Sequence, residues 1–593
     1  MKGGGACKPL EQLPNPDRAP RGPTSSTPAD GPGSVTPRAA VSSRAVVSAA
    51  MKEITPSNIG PSAVLDEAHV GDIRGAFGTI TQHDTLARSS WRARLLTLLA
   101  IMGPGLIVMV GDNDAGGVAT YAQAGQNFGL TLLWTLPLLI PVLVVNQEMV
   151  VRLGAVTGVG HARLINERFG RFWGAFSVGD LFILNFLTIA TEFIGVSLAL
   201  GYFGVSRYLS VPLSALGLIF MTASGSFRRW ERFMFVFIAV NFLVIPLAIF
   251  RHPHLGPFLH GLVTPGVKGG FNSTSVLLIM AIVGTTVAPW QLFFQQSNIV
   301  DKRITPRWIN YERVDTVLGS IITVLAAALL MAVVAAALGT TPLAGHFGSA
   351  GLVASGLRHY VGRAAGTLFA IILLNASIIG AASVTLATSY AFGDMFGAKH
   401  SLHRSWREAK FFYGVFAAMV GLAAGLVIIP GAPLGLITTS VQALAGVLLP
   451  SATVFLLLLC NDKDVLGPWV NRLWLNVLAS VIVSVLLMMS LVLMITTLFP
   501  RLNISRLAVD LGIVLLATYL VGAIVMFVTR ARRPPAPRES LQYRASWRMP
   551  PINLLSRPQW SRGRLIGMYL LRGYLVVAVI LLIVKAIELG IGH

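Results

Sequence analysis

The chain has 593 residues, of which 54% are hydrophobic and only 12% charged, with a net charge of +21 and a mean hydropathy of +0.69. A soluble domain carries about 25% charged residues, so this is a polytopic membrane protein, and its basic excess reads as cytoplasmic loops and tails rather than a nucleic-acid surface. Its two cysteines, Cys7 and Cys460, lie in a polar tail and an apolar run and imply neither a disulfide framework nor a thiolate metal cluster.

Residues 1–85 are rich in Pro, Ser, Ala and Gly and carry no apolar period, so a disordered tail is expected there. No arrangement of charged, apolar and small residues marks a cleaved signal peptide. From Leu95 onward, apolar runs long enough to cross a bilayer at about 20 residues each follow one another. They fall near 95–127, 130–151, 174–201, 208–226, 233–250, 274–299, 314–338, 366–397, 411–429, 433–460, 473–499, 507–528 and 566–588. Alternate loops carry the basic residues: Arg152, Arg163, Arg168 and Arg171; then Arg228, Arg229 and Arg232; then Lys302, Arg303, Arg307 and Arg313; then Lys399, Arg404, Arg407 and Lys410. This positive-inside pattern puts the N-terminus in the cytoplasm. Residues 531–563 form a basic cytoplasmic linker, and 564–593 an additional C-terminal transmembrane helix. The multi-pass chain is expected in a bacterial inner membrane, as a monomer embedded in the lipid bilayer.

The first run contains Gly103-Pro-Gly-Leu-Ile-Val-Met-Val-Gly-Asp-Asn-Asp-Ala-Gly-Gly117. Glycine and proline weaken a helix, and a carboxylate at membrane depth is costly enough to suggest function. The stretch reads either as a membrane helix broken at its middle, with carbonyls and Asp114 facing a cation, or as a helix packed closely through its glycines. The sixth run, Ile279-Met-Ala-Ile-Val-Gly-Thr-Thr-Val-Ala-Pro-Trp-Gln-Leu-Phe-Phe-Gln-Gln-Ser297, has Pro289 at its middle, which removes a backbone hydrogen bond. If five spans make one repeat, the two interruptions occupy corresponding places in two halves. That arrangement points to a transporter site between discontinuous helices.

These residues resemble the NRAMP family of divalent-metal transporters, which share the inverted-repeat fold of the sodium/amino-acid symporter LeuT. Gly103-Pro104-Gly105 matches the family's first motif, and Asp114-Ala115-Gly116-Gly117 stands where the family has Asp-Pro-Gly-Asn. Gln147-Glu-Met-Val-Val-Arg-Leu-Gly-Ala-Val-Thr-Gly158 matches the end of its second helix, Glu192-Phe193-Ile194-Gly195 its third, and Gly284-Thr-Thr-Val-Ala-Pro-Trp-Gln291 its sixth. The resemblance covers roughly residues 95 to 530. It implies an all-α fold of 5+5 helices with broken first and sixth helices, extra C-terminal helices, and a core spanning 86–530. It also implies Asp114 as a metal ligand and no bound cofactor, the metal being the transported substrate.

The departures are informative. The family's asparagine ligand is Gly117 here, its methionine is Ala288, its two histidines are Trp290 and Gln295, and an acid on the third helix is Ile189. A thioether favours transition metals over hard cations. Its loss, with an asparagine replaced by glycine to leave space, suits partly hydrated Mg2+, which takes oxygen ligands and keeps water. The pattern is similar to that of NRAMP-related magnesium transporters, with Mn2+ also expected to pass. The expected metal-site residues are Asp114, Ala115, Gly117, Thr285, Thr286, Ala288 and Gln291. The expected cavity and pathway residues are Asp112, Gln123, Glu192, Trp290 and Gln295. Asp112 either adds negative field or faces an aqueous vestibule, and Gln123 and Gln291 either bind metal through water or join helices. His161, His252, His254 and His260 are expected in surface loops, and Glu148 and Asp180 at span ends. Without the titrating histidines and acid, uncoupled Mg2+ import is the leading expectation. A proton-coupled Mn2+ or Fe2+ importer, an organic-solute carrier and a non-transporting receptor or scaffold are the alternatives. No enzymatic constellation is present in the sequence.

Overall fold

The computed structural model describes residues 66–251, 254–429, 434–499, 502–530, 543–544, 547–555, 558 and 562–591. The expectation of a disordered tail through residue 85 is corrected from residue 66 onward; residues 1–65 lie outside the described part. Asp66 caps a short turn at Glu67–His69, and a two-stranded antiparallel hairpin follows, β1 (Ile73–Gly75) and β2 (Gly78–Ile80). Ile73, Ala76 and Ile80 are buried, so this small sheet has an apolar face seated on the rest of the protein.

Helix α1 (Trp91–Ile101) is capped by Ser90 and bends by 54° into α2 (Pro104–Gly111). Gly103 at the bend has φ +151°, where an L side chain is strained, and Pro104 opens α2 at a position where its missing N–H costs nothing. A second interruption at residues 112–114 separates α2 from α3 (Ala115–Phe128). The chain continues through α4 (Thr135–Thr157), α5 (His161–Phe169), α6 (Arg171–Tyr202), α7 (Arg207–Thr222), α8 (Phe227–Asn241), α9 (Val244–Arg251) and α10 (Leu255–Val263). The sixth run is broken as well, into α11 (Ser273–Thr286) and α12 (Pro289–Asp301), with Val287 and Ala288 outside helical geometry. Then come α13 (Ile309–Leu338), α14 (Ala350–Tyr360), α15 (Arg363–Phe396), α16 (Lys410–Ile428), α17 (Leu434–Cys460), α18 (Leu473–Leu498), α19 (Ile504–Arg530) and α20 (Arg562–Ile591).

Among the described residues, ten helices are long and apolar enough to cross a membrane, or eleven when α1 and α2 count as one bent span. Of the other two expected spans, α7 is shorter at 16 residues, and α20 runs over 30 residues. The architecture is the inverted repeat of five plus five helices, with its first and sixth members broken. The third and eighth members, α6 and α15, pack along each other. The broken pair α11–α12 is almost wholly buried, whereas none of the apolar window of α19 is, so the core is organised around the interruptions. The last helix docks on this core: Tyr574 donates to the Val447 carbonyl at 2.8 Å, and Arg572 lies 4.6 Å above the Phe172 ring. Most of the basic linker lies outside the described residues. Its described part packs on the turn after α17, where the Trp469 indole donates to the Arg544 carbonyl at 2.8 Å.

Candidate metal site

Three elements meet where the first helix breaks. Asp114 is the N-cap of α3: its Oδ1 accepts the Gly117 N–H at 2.6 Å, and its side chain is buried at 2% exposure. Asp is a favoured N-cap because it satisfies an orphan helical N–H. Thr285, in the last turn of α11, places its hydroxyl 3.5 Å from the same Asp114 oxygen. Glu192 of α6 accepts the Ala115 N–H at 3.0 Å, and its Oε1 has no partner. Two carboxylates thus hold the first turn of one half-helix, where the backbone dipole favours negative charge. Gly380 of α15 makes the approach possible. A Cβ there would lie 2.5 Å from Glu192 Oε2 and 2.8 Å from the Asp114 Cβ.

Gly117 does not leave the space expected in place of an asparagine. A Cβ at 117 would meet the Asp112 carbonyl at 2.8 Å, the Thr285 hydroxyl at 3.0 Å and Asp114 Oδ1 at 3.4 Å. Three oxygens from both broken helices therefore converge on the α3 terminus, and the glycine is what lets them. Asp112 is fully buried in this conformation, where its carbonyl is one of the three converging oxygens.

The second break is stitched by its own polar groups. The Gln291 amide donates to the Thr286 carbonyl at 3.2 Å and accepts from Gln147 at 3.0 Å. The Thr286 hydroxyl donates to the Ile282 carbonyl at 2.7 Å and lies 2.8 Å from the Tyr121 hydroxyl, joining α11 to α3. Ala288 carries no side-chain ligand atom, and its carbonyl takes the Gln291 N–H. Trp290 is buried with its ring against Gly111, the last residue of α2. Two expected pathway residues lie apart from this cluster. Gln123 accepts from Thr439 at 2.9 Å, more than two turns along α3, and Gln295 donates to Thr316 at 2.9 Å, toward α13.

Gln442 of α17 was not legible from the sequence as a site residue. It rests on Gly116, where any Cβ would collide with its amide, and its buried Nε2 has no partner. The only signal was a lone glutamine inside an apolar run. His161 is a correction: expected on the surface, it is wholly buried, with Nδ1 2.8 Å from Gln296 Oε1, and burial lowers its pKa to about 4. Glu148 pairs with Arg152 at 3.0 Å and with Arg313 at 2.5 Å, so it ties α4 to α13. Among the described residues no group of three or more His, Cys, Asp or Glu side chains is placed to hold a metal. A cation at this site would take carboxylate, hydroxyl, amide and backbone oxygens.

The family profile Nramp, natural resistance-associated macrophage protein-like, matches residues 105–496. The chain belongs to the Nramp family. Similar relatives include proteins named divalent metal cation transporter MntH. The one from Klebsiella pneumoniae is 28% identical over 413 residues, covering 67% of this chain and 94% of the relative. The one from Staphylococcus aureus (strain Mu3) is 26% identical over 448 residues, covering 69% and 93%. The crystal structure of the Eremococcus coleocola manganese transporter with an aromatic bis-isothiourea compound is similar at a TM-score of 0.56. It shares 21% identity and covers 76% of this chain and 97% of that one, a likeness that shows the shared fold. The Nramp match begins after α1 and ends within α18. The N-terminal hairpin, α19 and α20 therefore lie outside it.

Proposed function

We propose that this Nramp protein carries divalent metal cations inward across the membrane by alternating access, with Mg2+ as its main substrate and Mn2+ also accepted. The observation that carries the reading is the convergence of Asp114, the Thr285 hydroxyl and the Asp112 carbonyl at the first break, with alanine at 288 in place of a thioether. An oxygen-only set suits a hard cation, which also retains water. Relatives named as divalent metal cation transporters support the substrate class. Inward movement needs no second ion, because a divalent cation gains about 4.6 kcal/mol per 100 mV of membrane potential. The basic loops support a cytoplasmic N-terminus.

Proton-coupled Mn2+ import is the second reading, favoured by the buried Glu192 carboxyl beside Asp114 and by the manganese transporter of similar fold. Purified protein in liposomes tests both. Mg2+ and Mn2+ influx would be followed with fluorescent indicators, together with internal pH, for the wild type and Asp114→Ala. Mg2+ entry that the substitution abolishes, without acidification, is the expected result. Mn2+ entry with acidification and no Mg2+ entry would establish the coupled reading instead.

A further inference from the structure

Residues 66–86 precede the family match, yet they touch α1, α8, the end of α12 and the α15–α16 loop. Asp66 binds the Arg404 guanidinium of the α15–α16 loop through both carboxylate oxygens, with Nε 2.8 Å from Oδ2. His69 Nε2 lies 3.2 Å from the His400 carbonyl and 3.6 Å from Asp301, the last residue of α12. Asp301 also accepts from Tyr390 at 2.5 Å and from the Leu402 N–H at 2.9 Å. Arg303, just beyond α12, donates to the Ala68 carbonyl at 2.9 Å and the Asp72 carbonyl at 3.1 Å. It does so from φ +67°, a conformation that is strained for a non-glycine residue and held by these bonds.

The hairpin continues the pattern. The Ala76 N–H donates to Glu231 of α8 at 2.5 Å, and Arg232 returns a bond to the Ala76 carbonyl at 3.1 Å. Glu231 binds Lys302 at 2.5 Å, and Lys302 donates to the Ile101 and Met102 carbonyls at the bend before α2. Gly75 and Gly78 are glycines of necessity, because a Cβ on either would strike Ala100. Arg307 reaches the Asp84 and Leu86 carbonyls. One short segment therefore joins α1, at Ala100, and the end of α12 to α8 and to the α15–α16 loop.

We infer that residues 66–86 are a strap that holds this end of the transport path shut and must let go of the α15–α16 loop before the path opens there. This rests on the transporter reading above. The end of α12 cannot move away from the strap and the α15–α16 loop together while Asp66, His69 and Arg303 bridge them. The strap thereby biases the balance between the closed and open states by whatever its contacts are worth in the closed state alone.

The experiment is a distance measurement that does not require transport. Spin labels go on Leu96 of α1 and Arg407 of the α15–α16 loop, both exposed, in full-length protein with Cys7 and Cys460 replaced. Pulsed EPR in nanodiscs is recorded for the otherwise native strap, for Asp66→Asn, and for the charge swap Asp66→Arg with Arg404→Asp. The expected result is a longer-distance population in Asp66→Asn, raised roughly fivefold relative to the short one, the scale of one partly buried ion pair. The swap should restore the original distribution. Identical distributions in all three proteins would overturn the inference. A shift that the swap fails to reverse would also overturn it, as damage rather than release. If no divalent cation enters liposomes, the transport reading fails whatever the distances show.

Discussion

Asp114 and Glu192 together cap the same half-helix, one taking the Gly117 N–H at 2.6 Å and the other the Ala115 N–H at 3.0 Å. Asp114 therefore has a structural duty and a proposed ligand duty that substitution can separate. Asparagine keeps an N-cap acceptor but loses the charge; alanine loses both. Asp114→Asn should melt close to wild type, and Asp114→Ala about 1 kcal/mol lower. Both should lose divalent-cation influx. Thermal unfolding in detergent beside liposome flux checks this, and an Asp114→Asn protein that still transports would remove the carboxylate from the ligand set.

Gly380 sets how closely the two acids approach. An added methyl must displace the Glu192 carboxyl and the Asp114 Cβ, since the gaps are 2.5–2.8 Å. Overpacking of this kind costs about 1–3 kcal/mol. Gly380→Ala is expected to lower the unfolding midpoint and weaken cation binding together. Isothermal titration with Mn2+ on the folded variant measures the second effect.

The two broken helices were legible because Gly, Pro and Asp interrupt apolar runs, a signal carried by a few adjacent residues. What was illegible depends on partners far apart in the chain. Asp315 caps α2 by accepting the Gly103, Gly105 and Leu106 N–H groups at 3.0, 2.8 and 3.2 Å, across 210 positions for Gly105. No local pattern announces that. The hairpin at residues 73–80 was missed because two three-residue strands are too short for a period to stand out from a Gly-rich tail. Gln442 and His161 look unremarkable in sequence. Their meaning comes from Gly116 and Gln296, which only the fold brings against them.

Ala288, the N-cap residue before α12, stands where the resemblance to the family places a thioether. Ala288→Met should restore a soft ligand and raise the Mn2+ to Mg2+ influx ratio about tenfold, equivalent to ~1.4 kcal/mol of discrimination. Competition of each ion against the other in liposomes reads the ratio directly. The companion substitution Gly117→Asn is expected to fail structurally, because its Cβ would sit 2.8 Å from the Asp112 carbonyl. An unchanged ratio in a folded Ala288→Met protein would place residue 288 outside the cation's reach.

His161 links stability to pH. Burial is the largest cause of its depressed pKa of about 4, and the Gln296 hydrogen bond opposes it only in part. In the unfolded chain an imidazole titrates near 6.5, so as pH falls below that value the unfolded state takes up a proton that the folded state refuses. The linkage sign is therefore loss of stability on acidification, beginning below about 6.5 and levelling off below the folded value. Between pH 7 and pH 5 the loss from this one group should be about 2 kcal/mol. His161→Asn, which keeps a polar group toward Gln296 but has nothing to protonate, should reduce the acid dependence by that amount while melting near wild type at neutral pH. Unfolding midpoints of both proteins in the same detergent across pH 5 to 7 provide the check. Parallel curves for the two would show that the acid lability comes from other groups.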